Sequence, residues 1–232
     1  MLRPLVAIGV ALFAIEAHAQ VSGSVALLSD YRFRGISLSD DRPAANVTLS
    51  YDQPSVGWYA GGALSSVRAD RNLAAQLLGY AGYARRVKPD LSWEAGVTYS
   101  RLSGHESYAY AEAYVGLAYK RLVARVYYAP DYFHSGIATQ YGEINGSHAL
   151  SEKWYLFAHL GYLRRNGDIG MNHSSRVRSD IRAGLGLTLK PLDVQLGWTG
   201  VHGSNGPSYL FGYPVSESVT RDAWIINLSY AW

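Results

Sequence analysis

A chain of 232 residues carries 21 Lys and Arg against 18 Asp and Glu, a net charge of +3 that is scattered rather than clustered, so nucleic-acid binding gains no support. It holds no cysteine, which excludes disulfides as the source of stability and excludes a lipoprotein anchor. After the N-terminus no apolar run reaches the roughly 18 residues of a membrane helix, while 24 Gly, 19 Tyr and 6 Trp suit turns and aromatic belts.

The chain opens on a secretory pattern. Arg3 supplies a positive start, an apolar run covers 5–15, and Ala17-His18-Ala19 forms a small-residue cleavage site ahead of Gln20. The run is too short to cross a hydrocarbon core of about 30 Å, so residues 1–19 are expected to be a cleaved signal and 20–232 one exported domain.

From Val21 onward the apolar pattern repeats every second residue, and no helical period emerges. The first strand is expected at 21–33, with Val21, Gly23, Val25, Leu27, Tyr31 and Phe33 on one face and Asp30 and Arg32 on the other. Further strands are expected at 45–51, 56–64, 73–85, 91–99, 109–119 and 122–128. The cleanest is 91–99, where Leu91, Trp93, Ala95, Val97 and Tyr99 alternate with Ser92, Glu94, Gly96 and Thr98. A weaker segment follows at 139–149, then 154–162, 181–189, 194–198 and the closing strand 224–232, whose apolar face carries Trp224, Ile226, Leu228, Tyr230 and Trp232.

Connections between these twelve segments alternate in length. Short joints fall at 52–55, 87–90, 120–121, 150–153 and 190–192, and longer ones at 34–43, 65–72, 102–108, 132–138, 164–178 and 200–220. Short turns on one side and long loops on the other are the habit of outer-membrane barrels, and an even strand count brings both termini to the periplasmic, short-turn side. Aromatic residues sort the same way. Tyr51, Trp58, Tyr83, Trp93, Tyr119, Trp154 and Trp232 belong to one rim, and Phe33, Tyr99, Tyr128, Tyr162, Trp198 and Trp224 to the other. The fold class that follows is all-β, a transmembrane antiparallel up-and-down barrel of twelve strands in the outer membrane.

An apolar closing strand with a free edge would invite pairing with other chains, and closure against the first strand removes that edge. The ending also resembles the C-terminal signature of bacterial outer-membrane proteins, in which a final aromatic residue follows alternating apolar ones. That resemblance implies recognition by the outer-membrane assembly machinery. The other expected partners are outer-membrane lipid and small polar solutes.

The face opposite the apolar one is expected to line the lumen. It carries Asp30, Arg32, Glu94, Glu112, Arg125, His159, Asp180 and Arg182 among its titratable residues, with polar partners such as Asn46, Gln76, Tyr114, Tyr127, Gln195 and Asn227. Charges of both signs inside a barrel either form a constriction that orients polar solutes or pair across the lumen and fill it. Passive diffusion of small polar solutes or ions is the function expected, since no nucleotide motif or coupling site is evident. The alternatives are a barrel enzyme acting on lipid, of the lipid-A hydrolase type, and a non-conducting structural or receptor barrel. For the enzyme, His173 with Ser174 and Asp168, or His105 with Glu106, are the candidates, but adjacency in sequence is not the geometry of a triad. Neither a metal nor a cofactor is expected, because the histidines show no ligand spacing. The apolar cluster Tyr209, Leu210, Phe211, Tyr213 and Pro214 in 200–220 reads either as a binding patch or as a segment that folds inward and narrows the pore. Inward folding is the expectation, because an exposed cluster of that size would be an aggregation liability.

Residues Ser29-Asp30-Tyr31-Arg32-Phe33-Arg34-Gly35-Ile36-Ser37, followed by Pro43, form a recognisable motif. With Tyr110-Ala111-Glu112-Ala113-Tyr114, Tyr128-Ala129-Pro130-Asp131-Tyr132-Phe133 and Ala158-His159-Leu160-Gly161-Tyr162 in order, it resembles the TorF-like porin family of proteobacteria. The resemblance implies an outer-membrane barrel and, by family naming, a channel. Tyr99-Ser100-Arg101-Leu102-Ser103-Gly104 departs from the family pattern at a turn.

Overall fold

The structure, a computed structural model, describes residues 20–166, 177–203 and 220–232. Twelve antiparallel strands close into one barrel: β1 (Gln20–Leu28), β4 (Ala44–Gln53), β5 (Trp58–Ala69), β6 (Asn72–Lys88), β7 (Leu91–Leu102), β8 (His105–Tyr119), β9 (Leu122–Ala129), β10 (Thr139–Ala149), β11 (Trp154–Arg165), β12 (Val177–Leu189), β13 (Leu192–His202) and β14 (Ala223–Ala231). Two short strands, β2 (Arg32–Phe33) and β3 (Ile36–Ser37), pair with each other outside that sheet. Each expected segment has its strand, and the weak one at 139–149 is a full member paired to both neighbours. The signal reading of 1–19, the apolar cluster at 209–214 and the pairing of His173 with Ser174 fall outside the described residues.

The alternation seen in the sequence is the alternation of the wall. Outward positions carry large apolar residues left uncovered by protein, such as Leu27 at 62% exposure and Val115 at 60%. Such a surface is tolerable only against an apolar surrounding. Aromatic rims bound this band, with Trp58, Tyr83 and Trp93 in ring contact at 5.4 and 5.8 Å near the short turns and Trp224 uncovered at the opposite rim.

Closure occurs between β1 and β14, with Val25 opposite Tyr230 and Leu27 opposite Leu228. Beyond the last strand residue, Gly23 and Trp232 exchange backbone hydrogen bonds at 3.2 and 3.0 Å. The Trp232 indole lies on Gly23, where a Cβ would meet the ring, so a glycine is what lets the two strands meet with the aromatic flat on the seam.

Two expectations need correction. The joints at 65–72 and 102–108 are tight hairpins, because β5, β6, β7 and β8 run on past the apolar band. Asp70 and Arg71, both at positive φ, turn the first, and Gly104 turns the second. The first strand ends at Leu28 rather than at Phe33, so Tyr31 and Phe33 are not outward. Both pack against a buried apolar cluster inside the barrel, and Phe33 does not belong to the aromatic rim. Separately, the connection 29–43, between β1 and β4, folds inward.

Candidate functional site

The site is the barrel lumen with the 29–43 connection seated in it. That connection is held by its own polar groups. Asp30, 5% exposed, accepts hydrogen bonds from Ser37 Oγ at 2.6 Å, Ser39 Oγ at 2.9 Å and Arg32 Nε at 2.7 Å, and thereby ties three turns of chain to one carboxylate. Arg32 also donates to the Gly35 and Arg221 carbonyls at 3.2 and 3.1 Å, and Asp41 accepts from Thr220, so the connection is stitched to the start of β14. Backbone bonds from Leu38 N to Tyr31 O and from Arg68 N to Leu38 O dock it against β5. Ile36 and Leu38, each 1% exposed, then bury among Val67, Leu102, Tyr110, Ala129, Tyr132 and Val201.

At the tip, the chain passes through left-handed conformations at Arg34 (φ 50°) and Gly35 (φ 81°). A Cβ at Gly35 would lie 2.6 Å from Asp180 Cβ and 3.2 Å from Val201, so the tip touches the far wall and only glycine fits there. This turn projects Arg34 into the lumen, where Nη1 and Nη2 donate to the two carboxylate oxygens of Glu112 at 2.9 and 2.6 Å. Its guanidinium also lies 4.2 Å from the Tyr141 ring centre and 5.3 Å from that of Tyr127. Burial by itself disfavours the charge on Arg34, but Glu112 more than offsets it and holds the guanidinium above its ordinary pKa.

Below the tip two cavities line the wall. One, of about 590 Å³, runs from residues 30–35 past Glu112, Tyr141, His159, Asp180 and Arg182 to Arg121 and Ser147 at the short-turn end. The other, of about 530 Å³, is bounded by Ser50, Tyr59, Tyr80, Glu94, Tyr114 and Arg125. The eight expected lumen residues, Asp30, Arg32, Glu94, Glu112, Arg125, His159, Asp180 and Arg182, all border one or the other.

They are grouped rather than scattered. Arg125 Nε meets Glu94 at 2.7 Å and its Nη1 reaches Glu143 at 3.8 Å, while Tyr59 donates to Glu94 at 2.7 Å and Tyr127 to Glu143 at 3.1 Å. His159 sits between Asp180 at 2.8 Å and Asn145 at 2.7 Å, with the Tyr141 hydroxyl 3.3 Å from both Asp180 oxygens. Asp30 and Arg32 reach the cavity from the inward connection and not from the first strand, where the alternation had placed them.

Sequence reasoning missed Arg34, Tyr141 and Glu143. The latter two carried a usable signal, since Tyr141, Glu143 and Asn145 alternate with Gly142, Ile144 and Gly146. Arg34 carried none: its position follows from pairing with a residue 78 positions away. The enzyme candidates Asp168, His173 and Ser174, and the side chains of His105 and Glu106, lie outside what the structure describes. Among the described residues, no group of three metal-ligating side chains occurs.

A family model described as "Bacterial protein of unknown function (Gcw_chp)" matches residues 15–231. The chain belongs to that family. The description of Gcw_chp assigns no function and does not carry the TorF name expected from the motif. Comparison with curated proteins gives no match. Among solved structures, this Gcw_chp chain is similar to the KdgM porin, at 12% identity over 91% of this chain and 99% of that one with a TM-score of 0.57. It is also similar to the NanC porin, at 11% identity over 91% and 99% of the two chains with a TM-score of 0.58. A further KdgM structure, in complex with disordered oligogalacturonate, aligns over 91% and 98% at a TM-score of 0.54. At such identities the likeness is one of fold, and the fold is that of outer-membrane porins.

Proposed function

We propose that this Gcw_chp protein is an outer-membrane channel for the passive diffusion of small polar solutes or ions, exported by its N-terminal signal and inserted with both termini periplasmic. The observation that carries the reading is the larger cavity. It keeps a volume of about 590 Å³ beside charged and hydroxyl groups from the inward connection to the short-turn end even though many of those groups are paired with one another, whereas a filled lumen would leave no such space. The porin fold supports it, and the apolar outer band supports a membrane surrounding. Selectivity would arise where Arg34 and Glu112 face the Tyr127 and Tyr141 rings, because there the lumen is shared between wall and inward connection.

A second reading, a non-conducting barrel, is favoured by one observation: the inward connection buries Ile36 and Leu38 in a packed apolar layer at the long-loop end. Planar-bilayer recording decides between them. Stepwise conductance from folded, heat-modifiable protein supports the channel. A silent bilayer with the same folded protein would leave the barrel and remove the channel. The last strand, with Trp232 on the seam, is proposed as the element read by the assembly machinery. Deleting Trp232 should therefore lower the amount of protein in the outer membrane while leaving the unit conductance of the inserted fraction unchanged. A normal yield would remove that role.

A further inference from the structure

Among the described residues, three of the arginines lining the lumen are matched with carboxylates. Arg32 is paired with Asp30, Arg34 with Glu112, and Arg125 with Glu94 and Glu143. Among the described residues no carboxylate lies within ion-pair distance of Arg182, although it is on β12 midway along the wall of the larger cavity. Of the five N–H donors of a guanidinium, one is used: Nη2 donates to Gln195 Oε1 at 3.0 Å, while Nε is buried without a partner.

The surroundings explain why the charge stays in place unpaired. Gln195 is fixed with its amide oxygen toward Arg182, because its Nε2 donates to the Tyr155 hydroxyl at 2.9 Å and to Asp193 at 3.2 Å. The guanidinium stacks over Phe157 at 5.0 Å, which favours the cation from below. Asp180, the next inward residue on the same strand, is already engaged by His159 and Tyr141. An unpaired guanidinium in such a wall is costly unless an anion or water from the lumen meets it.

We propose that Arg182 is an anion-binding station of the lumen, taking the carboxylate of a small monocarboxylic acid from the cavity. A single negative charge is specified by the neighbours. Asp180 and Glu143 line the same cavity and oppose a second one, while the Asn145 amide suits a hydroxylated carbon chain. The consequence for transport, a preference for acidic over neutral solutes of equal size, rests on the channel reading. Binding itself rests on the geometry alone.

Gluconate is the probe. Saturation-transfer NMR on the detergent-solubilised barrel should show transfer to gluconate, with binding about tenfold weaker in Arg182→Gln, the order expected for loss of a charged hydrogen-bond donor. Arg182→Lys, which keeps the charge, should fall between, and heat-modifiable migration identifies the folded variants. Absence of transfer in the wild type, or equal transfer in Arg182→Gln, overturns the proposal. Liposome swelling separates the two readings. Gluconate entry that drops in Arg182→Gln while glucose entry is unchanged supports both. Binding that depends on Arg182 in a barrel that passes no solute supports the station and removes the channel.

Discussion

At the long-loop end of the lumen the inward positions of the strands are covered, several of them by a packed apolar layer, while at the short-turn end inward positions of the same strands are polar and border open space. Strand β5 shows both within its length: Tyr59 near the short turn hydrogen-bonds to Glu94, and Val67, eight residues on along the same face, is 1% exposed under the inward connection. Strand β8 repeats the contrast between Tyr114, which shares a hydrogen bond with Tyr59, and Tyr110 on the same face, which is buried in the apolar cluster under the inward connection. The difference teaches that a barrel interior has no single polarity. Inward residues match whatever occupies their level, which is protein at one end and cavity at the other.

Between the two regimes lies the contact of Arg34 with Glu112, and breaking it should have the largest effect. In Glu112→Ala a buried guanidinium loses its bidentate partner, and removing one member of a buried pair costs about 3–5 kcal/mol. The barrel has its own hydrogen-bonded wall, so the strain should fall on the 29–43 connection, which would leave the lumen. Unit conductance in planar bilayers should rise severalfold, and the connection should become open to protease from the long-loop side. Unchanged conductance would mean that Ile36 and Leu38 hold the connection without the ion pair.

Gly35→Val tests the same seat from its tip, without touching a charge. The φ of 81° and the approach to Asp180 and Val201 both oppose a side chain there. A residue forced into that region costs on the order of 1–3 kcal/mol. A partial rise in conductance is expected, smaller than in Glu112→Ala, together with faster proteolysis of the connection. Equal effects of the two substitutions would assign the seat to tip geometry rather than to the ion pair.

The same contrast shows how far the sequence could be read. Strand number, pairing order and outward faces follow from period-two alternation, because the outside of a barrel presents one apolar demand along its whole height. Of the eight residues expected to face the lumen, those on strands, such as Glu94 and Asp180, follow from strict alternation, whereas Asp30 and Arg32 reach the cavity by another route. Tyr31 and Phe33 were misplaced because alternation continues past Leu28, where the strand has ended and the chain turns inward. Nothing local marks that departure: it depends on Asp30 gathering Ser37 and Ser39 and on a buried pair between residues far apart in the chain. The tight turns at Asp70-Arg71 and Gly104 were missed for a related reason, since strands that outrun the membrane no longer need an apolar outer face.

Charge reversal sharpens the short-turn end. Arg125→Glu would place a third carboxylate beside Glu94 and Glu143, and the lumen should turn toward cations, seen as a shift in reversal potential under a potassium chloride gradient. The control is Arg101→Glu, on the outer side of β7 near the long-loop end, which should move it little because an exposed charge is screened over roughly 10 Å at ordinary salt. Equal shifts from the two would mean that solutes sense the outer mouth rather than the network around Arg125.

The smallest effect belongs to the seam, where both ends share one closure. In Gly23→Ala the added methyl meets the Trp232 indole, which can swing outward because that side faces the apolar surroundings and not packed protein. Overpacking with such an exit should cost about 1 kcal/mol or less, near the low end of the range for inserted methylenes. Thermal unfolding should shift down by little, and conductance should stay at the wild-type value. A shift as large as that of Gly35→Val would show that β1 and β14 are locked through the indole. The last pair of hydrogen bonds, between Gly23 and Trp232, would then be holding the whole ring of strands in register.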